Sequence, residues 1–194
     1  MMKAPAPGFT DPVHDSQAVF RLVLEAFSHP GKVIPMKVAV PAPSGVLPET
    51  AAIALTLFDT DTAVWLQDGS PAVLDYLGFH CGCPVSAAPG DATFAVITDI
   101  ASSPAISAFN PGTPEYPDRS STLIIQVGSL GGRIARRITG PGIRESEHIA
   151  IAELPSTFWR TVESNHALYP CGVDMIFVAP GAILGLPRST RLVN

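Results

Sequence analysis

Four stretches of this chain are apolar at nearly every position, yet each is only six or seven residues long: TAVWLQ (62–67), TFAVIT (93–98), TLIIQV (122–127) and VDMIFVA (173–179). Runs this short do not make helices buried all round, and they lack the in-out alternation of strands with one wet face. They read as strands covered on both faces, which requires a sheet sandwiched between two other layers.

The segments between them supply such layers. Residues 15–28 place Val19, Phe20, Val23, Leu24 and Phe27 at three- and four-residue spacings, with Gln17, Arg21 and Glu25 on the other face. That pattern predicts an amphipathic helix capped by Asp15 or Ser16 and stopped by Pro30 and Gly31. Residues 33–40 alternate well enough for an edge strand. Pro48 opens a nearly all-apolar helix to about residue 59, which implies burial on more than one side. A third helix is expected over about 70–79, with Ser70 as cap and Pro71 in its first turn, and a fourth over about 156–163. Residues 102–109 can form a short helix at most. Two hairpins are predicted. One pairs 122–127 with the more polar 132–139 across the glycines of 128–132, and the other joins 173–179 to 182–187 through Pro180 and Gly181. The expected fold is α/β, a three-layer α/β/α arrangement with a mixed sheet. It forms one domain over residues 1–194, with 1–12 as a flexible N-terminal tail.

Function classes can be excluded on composition. A formal charge of -5, with nine arginines and three lysines scattered except for Arg133, Arg136 and Arg137, shows no nucleic-acid stripe. The longest apolar runs fall far short of the roughly 20 residues that a membrane helix needs. The opening MMKAPAPGFTDP lacks the apolar core of a secretory signal, and three cysteines make a poor disulfide framework. A soluble protein of the reducing cytoplasm is expected. With 46% hydrophobic and 15% charged residues the chain has little charged surface for a free monomer, which predicts a lasting partner.

The familiar chemical motifs are missing. No glycine stands five residues before the Gly31-Lys32 pair, and Val33 follows it, so a phosphate loop fails twice. The glycines of GPGIRE, from Gly140, meet Glu145 where a dinucleotide fingerprint has its third glycine, and a tight turn explains them better. His80, Cys81 and Cys83 in HCGCP could share a metal only with a fourth ligand such as His166 or Cys171, and a buried structural role is the simpler reading, so no metal is expected. An imine with pyridoxal phosphate needs a lysine inside the fold, and only Lys3, Lys32 and Lys37 exist, all ahead of the central strands. What remains is two arginine-hydroxyl clusters, DRSST (118–122) and PRSTR (187–191). Guanidinium forks match phosphate oxygens, and neighbouring hydroxyls add donors, so Arg119, Ser120, Ser121 and Arg188 form the candidate anion site. The alternative is structural: Asp118 pairs with Arg119, the serines cap the incoming strand, and Arg188 or Arg191 is solvated.

FRLVLEAFSHPGKV, ALTLFDTDTAVWL, HCGCP, GTPEYPDRSSTLI, ITGPGI, YPCGVDMIFV and the closing LPRSTRL occur in this order over nearly the whole chain. In that succession the sequence resembles the PhnH family, one of the components of the bacterial carbon-phosphorus lyase machinery for phosphonate use. The resemblance implies a fold similar to the large domain of pyridoxal-phosphate-dependent transferases, without that cofactor or any other. It implies a homodimer in isolation and a place in a cytoplasmic core complex with G, I, J and L subunits. With G, I and L the chain would support transfer of ribose 5-triphosphate from ATP to methylphosphonate, releasing adenine, as an accessory or scaffolding component inactive alone. No catalytic residue carries over, and Cys81 and Cys171 are departures from the pattern. The alternative is a stand-alone enzyme or a binding module for a phosphorylated small molecule.

Overall fold

The four apolar runs become the parallel centre of one sheet. The computed structural model describes residues 5–132, 135–155 and 157–193. In it β2 (Val64–Leu66), β3 (Phe94–Ile97), β4 (Thr122–Gln126) and β7 (Asp174–Ala179) run side by side in the same direction. The hairpin at Pro180 and Gly181 returns β8 (Ala182–Leu186) antiparallel beside β7, and a short β1 (Ile34–Pro35) closes that edge. The order is β1-β8-β7-β4-β3-β2, a mixed sheet of six strands.

Because side chains alternate across a strand, the apolar runs build two cores at once. Ile124, Ile176, Val178 and Ile183 face α1 (Pro12–Ser28), α2 (Pro48–Leu57) and α3 (Pro71–His80). Leu123, Ile125, Met175, Phe177 and Leu184 face the opposite layer. In α2 the residues from Glu49 to Ala54 are all buried, as its nearly all-apolar sequence predicted. The approach of α1 to β8 is set by Gly185: a Cβ there would stand 2.5 Å from the Ala26 carbonyl oxygen.

Three features differ from expectation. First, α1 begins at Pro12, not near residue 15. Asp11 accepts a hydrogen bond from the His14 amide at 3.1 Å, and Pro12 presets the first helical φ, so the cap falls earlier than Asp15 or Ser16. Residues 5–12, expected in a flexible N-terminal tail, therefore include a helix cap. They also include Ala6, whose carbonyl accepts from His80 Nε2 at 2.8 Å, and Phe9, which packs on the helical core.

Second, 122–127 does not pair with the segment after the glycine turn. With both faces apolar, β4 sits between β3 and β7. The next strand, β5 (Arg136–Thr139), buries only Ile138 and joins β6 (Glu147–Ile149) and β9 (Arg191–Val193) in a separate three-stranded sheet, order β6-β5-β9. Third, the layer opposite α1 to α3 is not all helical. It consists of this small sheet, α4 (Phe158–His166) and 3-10 turns.

Candidate functional site

The loop that enters β4 is held by its own side chains. Asn110 accepts from the Gly112 amide at 2.9 Å and donates to the Arg119 carbonyl at 3.1 Å. Thr113 Oγ1 accepts from the Tyr116 amide at 3.1 Å. Gly112 has a φ of 76°, and a Cβ there would lie 3.0 Å from the carbonyl oxygens of Tyr116 and Pro117, so the turn requires glycine. The four predicted anion ligands, three on this compact loop and Arg188 just after β8, meet four different fates.

Ser121 is fully buried. Its hydroxyl donates to the Ala92 carbonyl at 2.6 Å and accepts from the Asn110 amide at 3.2 Å, tying the loop to the start of β3. Ser120 is also buried, and its hydroxyl oxygen has no protein partner. Arg119 lies on the surface with its guanidinium over the Tyr116 ring, 4.2 Å from the centroid.

Arg188 is already engaged by a carboxylate. Nε is 3.2 Å from both Asp174 oxygens, Nη2 is 2.6 Å from Oδ2, and Nη1 donates to the Pro117 carbonyl at 2.6 Å. Its backbone amide also donates to Asp174 Oδ1 at 2.8 Å. Arg188 thus clamps the end of β8, the first residue of β7 and the loop together. It reaches the Arg119 loop at Pro117, while both serines are buried. Sequence reasoning missed Asp174, whose place at the head of an apolar strand was the available signal.

The neighbouring cleft, about 380 Å3, is lined by Ser28, Thr122, Asp174 and Ser189. An anion entering it would meet the Asp174 carboxylate. The cluster also lies at the N-terminal ends of the parallel strands, whereas open α/β sheets generally bind ligands at the C-terminal ends. Those C-terminal ends are laced together by amides. Gln126 accepts from the Leu47 amide at 2.7 Å and donates to the Gly45 carbonyl at 3.1 Å, and Gln67 bonds Thr98, Asp99 and Ser102.

Cofactor and metal chemistry find little support in the donors. Lys32 donates to Glu25 at 2.8 Å on the surface, and Lys37 is exposed, so neither offers an amine inside the fold; Lys3 lies outside the described residues. His80 is held by Ala6, and no group of three or more His, Cys, Asp or Glu converges among the described residues. Cys81 and Cys83 are free thiols, and Cys81 Sγ donates to the Ala54 carbonyl at 3.8 Å. The Cys81–Cys83 hydrogen bond holds the Cys83 thiol down to about 7 despite its burial, while the same bond, with burial, pushes Cys81 up.

A larger cleft, about 570 Å3, opens between α4 and the small sheet. Arg136 and Arg137 of β5 and His148 of β6 line one side, with Trp159, Arg160 and Glu163 of α4 on the other. Arg137 and His148 are cross-strand partners, and Trp159 and Glu163 are one helical turn apart. Arg133, the third member of the arginine cluster seen in the sequence, lies outside the described residues. No helix among the described residues is long and apolar enough to cross a membrane.

The fold and its surface define an α/β domain with a mixed six-stranded sheet, in which Ser121 and Arg188 of the arginine-hydroxyl cluster are spent on internal contacts. The chain belongs to the PhnH family: the family model described as bacterial phosphonate metabolism protein (PhnH) matches residues 7–193. It is 38% identical over 189 residues to the alpha-D-ribose 1-methylphosphonate 5-triphosphate synthase subunit PhnH of Rhizobium meliloti (strain 1021), covering 95% of this chain and 93% of that protein. It is also 29% identical over 184 residues to a putative C-P lyase subunit protein HtxG of Stutzerimonas stutzeri, covering 91% of this chain and 85% of that protein.

Proposed function

We propose that this chain is a subunit of a carbon-phosphorus lyase core complex in phosphonate catabolism. In this role it assists, with G, I and L subunits, the transfer of ribose 5-triphosphate from ATP to methylphosphonate. The observation that carries this reading is the 38% identity, spread over 95% of the chain, to a subunit of the synthase of that product. A subunit inactive alone accounts for a cluster of arginine and serine side chains that mostly serve the fold. We place the chain in the cytoplasm, as a homodimer in isolation and beside G, I, J and L subunits in the complex. We read the sheet as a relative of the large domain of pyridoxal-phosphate-dependent transferases that works without the cofactor.

Within that role the 110–121 loop is the docking element, because it is rigid, and Arg119 and Tyr116 stand exposed on it. The anion that Arg119 meets is then a partner carboxylate or a bound phosphate. The test is reconstitution with and without this chain, following co-purification and ATP-dependent adenine release. Turnover is expected only in the complete set, and Arg119→Ala should weaken assembly or phosphate-ligand binding by about 1–3 kcal/mol, the range for a charge-assisted hydrogen bond. Adenine release by this chain alone would instead favour a stand-alone enzyme.

A further inference from the structure

The cleft between α4 and the small sheet stands apart from the rest of the molecule electrostatically. The chain carries a formal charge of -5, yet this one cleft gathers Arg136, Arg137 and Arg160 with His148, against a single lining carboxylate, Glu163. Neither Arg136 nor Arg160 takes part in any of the three ion pairs among the described residues. Arg137 already has a partner of its own. Arg136 shares its strand face with Ile138, which packs with α4, whereas the adjacent Arg137 and its cross-strand partner His148 belong to the other face; a bound anion satisfies the planar donor forks of Arg136 and Arg160. The volume, about 570 Å3, is that of a small-molecule site, whereas protein partners generally meet flatter surfaces.

The cleft also holds Trp159, a large aromatic surface of the kind on which nucleic-acid bases stack. Cations with an adjacent aromatic match a ligand having a charged end and a flat apolar end. Inorganic phosphate or a simple phosphonate would leave the indole without a role.

We propose that this cleft binds a nucleoside phosphate, with Arg136 and Arg160 on the phosphate oxygens and Trp159 against the base. The preference for a nucleoside phosphate over other anions with a flat group rests on the reading above, in which ATP is the donor. The site itself is independent of that reading. It lies on different elements from the Arg119 loop.

The test uses the full-length chain. Titration calorimetry with ATP, inorganic tripolyphosphate and adenosine is paired with indole fluorescence in a Trp65→Phe background, where Trp159 is the only reporter. ATP is expected to bind more tightly than tripolyphosphate and to change Trp159 emission, with adenosine weakest. Arg136→Ala and Arg160→Ala should each weaken ATP binding about tenfold or more, in folded protein as judged by circular dichroism, while Arg21→Ala on α1 leaves it unchanged. Trp159→Ala should bring ATP down to the affinity of tripolyphosphate. Absence of ATP binding at about 1 mM, a concentration typical of weak substrate sites, would overturn the proposal, as would binding indifferent to both arginines or equal for adenosine. Loss of partner subunits by the arginine variants, without ATP binding by the parent chain, would reassign the cleft to an acidic protein surface. If the complex assembles and turns over while the isolated chain binds no ATP, the site fails and the subunit role stands.

Discussion

Arg188, which its sequence context allowed as an anion ligand or a solvated side chain, is bound to Asp174, and its truncation has a calculable cost. In Arg188→Ala the Asp174 carboxylate loses all its guanidinium contacts and keeps the backbone amide of residue 188, while the Pro117 carbonyl loses its 2.6 Å donor. Breaking a fully buried ion pair by removing one partner costs about 3–5 kcal/mol. Here the two side chains retain 15% and 21% of their exposure, so water recovers part of that loss and about 3 kcal/mol is expected. For a chain of this length each kcal/mol lowers the melting temperature by about 2–4 °C, which gives a fall of about 6–12 °C. Thermal and urea unfolding at fixed protein concentration measure it. Asp174→Ala and the double variant complete a cycle with an expected coupling of about 2 kcal/mol. Freed of its clamp at Pro117, the 110–121 loop should also be cleaved faster in limited proteolysis. A ligand arginine would behave oppositely, so stability within about 0.5 kcal/mol of the parent, or strict additivity in the cycle, refutes the clamp.

Two further outcomes follow from the packing and from the thiol pair. Gly185→Ala puts a methyl 2.5 Å from the Ala26 carbonyl and must push α1 off β8, so it should destabilise the fold by about 1–3 kcal/mol in urea unfolding; an unchanged midpoint would show that α1 shifts freely. Cys83 is held down to about 7 and Cys81 is raised, whereas both titrate near about 8.5 when unfolded. Between about pH 7 and 8.5 the unfolded chain therefore holds more protons than the native one and stability rises with pH; above that window Cys81 retains a proton that the unfolded chain has lost, and stability falls. Cys81→Ala should abolish the rising limb and move the thiolate absorbance step of Cys83 upward, and an unshifted step would show that Cys81 is not its donor.

The sheet was legible because its residues answer to one physical demand. Ile124 and Ile125 are adjacent and both wholly buried, which only a strand with two covered faces permits, and the same holds for Ile176 and Phe177. The hairpin at Pro180 and Gly181 was legible for a different reason, since a turn is encoded within the few residues that make it. The turn at 128–132 carried equally good local chemistry and misled. Pairing partners for β4 are decided by which strands can cover the apolar faces and edges of Ile124 and Ile125, and β5, with Arg136 and Arg137, cannot enter a sheet buried on both sides. Tertiary demand overrode a local signal. The start of α1 moved for the converse reason: Asp11 and Pro12 supply a cap that outweighs the apolar periodicity, which begins only at Val19.

The site was much less legible, and the reason lies in what arginine does in a fold. Arg119 and Arg188 sit in equally polar motifs, yet one is exposed on an aromatic ring and the other is bound to a carboxylate 14 residues away. No local pattern distinguishes them, because the choice depends on Asp174 arriving at the head of β7 beside the end of β8. The basic cleft shows the same dependence in reverse. Arg136 and Arg137 stood out only as a cluster, and Trp159, Arg160 and Glu163 only as part of a helix. They become one surface because the small sheet, closed by a C-terminal strand, sets β5 and β6 facing α4. In an acidic chain, cations that cross the fold to meet around an aromatic are better evidence of a ligand than cations adjacent in sequence. Adjacent residues come together through chain connectivity alone, whereas distant ones are held together by the fold.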